Sequence, residues 1–65
     1  MKKRDLESAL KARGWFFLRH GGNHDTWTNG GSATEQIPRH REINENLARK
    51  IIKTADRNPP EKKEK

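Results

Sequence analysis

The sequence predicts an α+β domain with the element order αβββα. Three observations predict it. Two segments, near residues 3–13 and from residue 44 onward, carry apolar side chains at helical spacing. Three short stretches of strand character lie between them. Gly21-Gly22 and Asn29-Gly30-Gly31 punctuate those stretches with turn chemistry. The expected result is a three-stranded antiparallel meander with two helices packed on one face. The other face is left open to solvent or to a partner.

The first helix rests on Leu6, Ala9, Leu10 and Arg13, which follow the i, i+3, i+4, i+7 pattern. Asp5 and Glu7 sit near its start, where the helix dipole favours negative charge. Gly14 is a natural stop. Trp15 through His20 then reads as a strand with at least one well-buried face. Regular alternation puts Trp15, Phe17 and Arg19 on one side and Phe16, Leu18 and His20 on the other. A second strand is expected over 24–28 and a third over 32–37, ended by Pro38, which has no N–H for a ladder. Asn44 is a candidate N-cap for the last helix, with Glu45 in the first turn. Leu47, Ile51 and Ala55 define its buried stripe, widened by Ala48 and Ile52. Asn58-Pro59-Pro60 ends it.

The chain has 65 residues, which allows one domain with a small core. Charged residues make up 37% and apolar residues 28%, a balance that would favour disorder if the apolar residues were scattered. They cluster instead in the expected elements. Residues 1–57 therefore read as the domain and residues 58–65 as a disordered charged tail. No cysteine is present, so neither disulfides nor thiolate metal sites hold the chain. No apolar run approaches a membrane span and no signal-peptide pattern appears. A cytoplasmic protein with no membrane contact is expected.

Fifteen Lys and Arg stand against nine Asp and Glu, a net charge of +6. On so small a body this favours an anionic partner, of which nucleic acid is the commonest. Lys2, Lys3, Lys62 and Lys63 lie near the ends, where they serve solubility equally well. Arg13, Arg19, Arg39, Arg41, Arg49, Lys50 and Lys53 lie within the domain.

Three histidines carry the possible chemistry: His20, His24 and His40. They lack any tight metal-ligand spacing, and no serine or threonine context suggests a triad. No metal or other cofactor is called for. His24 follows Gly21-Gly22-Asn23, where a turn lets a phosphate backbone approach the main chain. An imidazole there can transfer a proton at neutral pH. Spacing alone favours the plainer reading, a polar strand residue in a loop. Asp25 should point to the opposite face of the strand and so not orient His24. His40 sits in the basic connector Pro38-Arg39-His40-Arg41, suited to phosphate contact or to plain solvation. His20 is the least informative of the three.

The pattern resembles a known family. A helix ends in Gly14-Trp15, an apolar strand follows, and Gly22-Asn23-His24 supplies a Gly-x-His. Ile37-Pro38-Arg39-His40 with Glu42-Ile43 comes next. Leu47-Ala48-Arg49-Lys50-Ile51-Ile52-Lys53 forms the final helix. This order, over residues 4–55, is similar to the HicA family of toxin mRNA interferases. The resemblance implies a fold like that of double-stranded-RNA-binding domains and a ribonuclease that cleaves mRNA. It also implies one catalytic histidine in the glycine-rich turn, here His24, and a HicB-type antitoxin as partner and inhibitor. RNA contacts are then expected from Gly22, Asn23, Arg39, His40, Arg41, Lys50 and Lys53. The chain departs from many members at Asp25-Thr26-Trp27, where an acid beside the site weakens local phosphate attraction, and in its tail. The competing class is a non-catalytic module that binds double-stranded RNA by shape.

Overall fold

A computed structural model describes residues 1–60. The order is α1 (Lys3–Ala12), β1 (Phe16–Gly21), β2 (His24–Thr28), β3 (Thr34–Pro38) and α2 (Glu45–Arg57). The three strands form one antiparallel sheet in the order β1-β2-β3. This is the αβββα architecture the sequence predicts, and it is consistent with a double-stranded-RNA-binding-domain-like fold.

The two helices cover one face of the sheet. Leu6 and Leu10 from α1, and Ala48, Ile51 and Ala55 from α2, share a core with Trp27 of β2 and Ile37 of β3. Trp15 and Ile43 complete it. Asn44 caps α2 as expected, its side-chain oxygen accepting from the N–H groups of Asn46 and Leu47 at 2.9 and 3.2 Å. Arg13 ties the helices together through Asp56, with Nε donating to Oδ1 at 2.6 Å.

Four details depart from the sequence expectation. Trp15 precedes β1 instead of opening it. Gly14, at φ 86°, bends the chain after α1 so that the Trp15 ring enters the core. β1 also lacks a buried face: Phe16, Phe17 and Leu18 are 49%, 42% and 42% exposed. The strand lies at an edge, and the sheet's core residues come from β2 and β3. The expected alternation along β1 fails as well. Phe17 pairs with Trp27 and Arg19 with Thr26, so Leu18 is an extra residue, a β-bulge. After the bulge the faces exchange, and His20 lies on the same side as Phe17, its ring centroid 4.9 Å away. Finally, β3 begins at Thr34 and runs through Pro38.

The end of the described chain is engaged. The Asn58 carbonyl accepts from Trp15 Nε1 at 3.0 Å and from Asn29 Nδ2 at 3.2 Å. Residues 61–65 of the expected tail lie outside the described residues. The indole N–H of Trp27, by contrast, is buried with no partner among the described residues, a cost that the burial of its ring must offset.

Candidate nucleic-acid interface

The β1–β2 hairpin decides where the expected site residues go. Gly21 closes β1 and His24 opens β2, leaving a two-residue turn of Gly22 and Asn23. Gly22 has φ +60° and Asn23 does not have a positive φ, the sign pattern of a type II′ turn. A Cβ on Gly22 would meet nothing within 4 Å, so the main chain there is open to close approach.

Strand alternation then sorts β2. Asp25 and Trp27 share the helix-covered face with Ile37, the cross-strand partner of Asp25. His24, Thr26 and Thr28 share the other face. Its neighbours across the ladder are Gly21 and Pro38 for His24, and Arg19 and Gln36 for Thr26. His24 is thus a half-buried imidazole at one end of a polar face that no helix covers. Its ring makes no hydrogen bond among the described residues. Asp25 does point away from it.

The pairing of His24 with Pro38 brings the basic connector to the hairpin. Asn23, Arg39 and His40 together line a cleft of about 250 Å³. Gly22, Asn23, His24, Arg39 and His40 therefore meet at one end of the sheet. Arg41 lies just beyond, on the wall of a second cleft of about 600 Å³ that also includes Lys2, Lys3, Arg4, Glu7 and Arg39. Lys50 and Lys53 are exposed on α2, behind the opposite face, and line neither cleft.

The most organised electrostatic feature is Asp25, whose side chain is only 8% exposed. Its Oδ2 accepts from Lys3 Nζ at 2.8 Å. Its Oδ1 accepts from His20 Nδ1 at 2.9 Å and from Arg39 Nε at 3.1 Å. The bond from Lys3 is the main cause that brings its pKa down from 3.8 to about 2. Burial acts against it, and the bonds from His20 and Arg39 add to it. Asp25 in turn raises the pKa of Lys3. An ionised carboxylate only accepts, so His20 presents an Nδ1–H to it. His20 and His24 leave opposite faces of the hairpin and so do not form a two-histidine pair across one phosphate.

Sequence alone sets Asp25 and His20 aside and treats Lys3 as a terminal charge. The signal that finds them is parity. An acid at an inward strand position, between a His row and a core Trp, requires cations close by.

A family described as the HicA toxin of bacterial toxin–antitoxin systems has a sequence model that matches residues 4–56. The chain belongs to the HicA toxin family. It is thus the toxin of a toxin–antitoxin system, and the family implies an antitoxin partner. Searches of curated proteins and of solved structures return no match. Among the described residues of this HicA toxin, no helix is long and apolar enough to cross a membrane, and no three His, Cys, Asp or Glu residues group as metal ligands.

Proposed function

We propose that this HicA-family toxin is an endoribonuclease that cleaves mRNA in the cytoplasm, with His24 as the catalytic proton-transfer residue and a HicB-type antitoxin as its inhibitor. One observation carries the reading. His24 stands on the uncovered sheet face, beside an open glycine turn and the Asn23–Arg39–His40 cleft. Gly22 and Asn23 let the RNA backbone come close, and Arg39, His40 and Arg41 attract its phosphates. Lys50 and Lys53 add attraction at longer range.

RNA brings its own nucleophile, the 2′-hydroxyl. His24 either takes that proton as the oxygen attacks phosphorus or returns one to the departing 5′ oxygen. Arg39 is held in place by Asp25, so its charge is positioned before substrate arrives. One imidazole working without a second acid or base gives modest turnover, which suffices for a toxin acting on many messages.

Replacing His24 by alanine tests the assignment. RNA cleavage by the purified variant should fall roughly 10²–10⁴-fold, and growth arrest should disappear. Undiminished cleavage removes His24 from the mechanism. Tight duplex binding without any cleavage, unchanged by the substitution, would instead favour the non-catalytic RNA-binding module.

A further inference from the structure

The second cleft is not lined by His24, yet it is strongly basic. Lys2, Lys3, Arg4, Arg39 and Arg41 line it, with Glu7 as the one acid on its wall. Most of those cations are already satisfied. Lys3 contacts Glu7 at 3.4 Å as well as Asp25, Arg39 holds Asp25, and Lys2 reaches Glu42 at 3.3 Å. Among the described residues, Arg4 and Arg41 have no acidic partner, and both are exposed. Their walls are fixed relative to each other. The Lys3 N–H donates to the Arg41 carbonyl at 2.8 Å, and Lys2 and Glu42 form an antiparallel bridge. Two unpaired guanidinium groups on walls braced by backbone bonds suit a phosphate oxyanion, for which arginine's planar donors are well matched.

We propose that this cleft is a second phosphate subsite, gripped by Arg4 and Arg41, for single-stranded RNA whose neighbouring segment lies at His24. The proposal rests on the ribonuclease reading above. Arg39 lines both clefts and is the joint between them. His24 projects from the open face, whereas Lys3 and Asp25 lie on the helix side. A backbone that occupies both clefts therefore turns around the end of the sheet past Pro38–Arg41. A flexible single strand makes that turn; a stiff duplex does not. The subsite binds and positions the substrate, with no bond made or broken there.

The test uses a fluorescent, short, single-stranded 2′-O-methyl RNA, which lacks the nucleophile and so reports binding alone. Its affinity is followed by anisotropy across a salt series for the whole chain. The Arg4→Ala/Arg41→Ala protein should bind about tenfold more weakly at low salt, and its log K against log salt should be shallower by about 0.7 for each phosphate it no longer neutralises. Arg4→Ala alone should give an intermediate weakening. Lys11→Ala, which removes one exposed charge from the far end of α1, should leave the slope unchanged. Circular dichroism melting checks that each protein is folded. Equal affinity and slope in the double variant overturn the subsite, as does an equal weakening in Lys11→Ala. Tighter binding of the matched duplex overturns the single-strand assignment. Wild-type protein that neither binds nor cleaves RNA refutes the ribonuclease reading itself, a result distinct from all of these.

Discussion

The two ends of strand β2 are built from different chemistry. At the Trp27 end, the inward side chain is an indole, 2% exposed, against Leu and Ile from both helices. At the His24 end, two residues earlier on the same face, the inward side chain is a carboxylate holding an ammonium, an imidazole and a guanidinium. The first end keeps the sheet and helices together. The second, at comparable burial, keeps cations in fixed positions. Both inward side chains are withdrawn from water, but the cations around Asp25 reach it, with His20 and Arg39 70% and 45% exposed. Stability and RNA contact are therefore expected to respond to different substitutions.

The largest effect should come from the apolar end. Trp27→Ala removes an indole ring packed between sheet and helices and should cost roughly 3–5 kcal/mol of unfolding free energy. In a domain this small that is a large share of the total. Chemical denaturation measures it. RNA affinity per folded molecule should not change. A cost below about 1 kcal/mol would mean that the core is not closed by Trp27.

The same contrast explains what is visible in the sequence. Both helices can be read because their apolar residues repeat with a clear period, Leu6 and Leu10 in α1 and Ile51 and Ala55 in α2, whereas β2 and β3, with Trp27 and Ile37 as their single core residues, are read from the turns that bound them. Glycine-rich turns mark the hairpin ends. Trp15-Phe16-Phe17-Leu18 is the exception. It offers four bulky residues in a row, so no polar alternation marks which side chains face inward. A bulge within it changes the parity of everything that follows and moves His20 to the side of Asp25. The Asp25 cluster is hidden for a second reason. Lys3 and Arg39 lie 22 and 14 residues from it in the chain, and only tertiary folding brings them together. His24, Arg39 and His40 are legible because the Pro38 pairing is local to the meander.

The ionic end should give a smaller, pH-dependent effect. In the unfolded chain the Asp25 carboxyl titrates near its ordinary 3.8, and in the fold it titrates at about 2. The ionised form stabilises the fold above about pH 4, and that contribution fades as the pH falls towards 2. Asp25→Asn should therefore lower stability by roughly 2 kcal/mol at neutral pH, with the difference from wild type shrinking between about pH 4 and pH 2. Urea titrations at several pH values read this out. The variant should also weaken RNA binding by freeing Arg39. A stability difference that is constant across the acid range would show that Asp25 acts through packing and not through its charge.

The smallest effect tests the bulge that joins the two ends. Because Leu18 is the extra residue, its removal leaves Phe17 opposite Trp27, Arg19 opposite Thr26 and His20 opposite Asp25. Every cross-strand partner is kept, and the bulged strand becomes a regular one. Leu18 is also 42% exposed, so little buried apolar area goes with it. Deletion of Leu18 should thus cost roughly 1 kcal/mol or less and leave the His20–Asp25 hydrogen bond detectable by NMR of the imidazole. Deletion of Phe17 should behave differently. Leu18 then takes the place opposite Trp27, and the edge-on packing of the Phe17 ring against Trp27 and His20 disappears. If removal of Leu18 unfolds the protein, or breaks the His20–Asp25 hydrogen bond while Phe17 deletion preserves it, the ladder assigned to β1 is wrong. The parity that separates the His24 face from the Asp25 face would then have to be sought elsewhere in the hairpin.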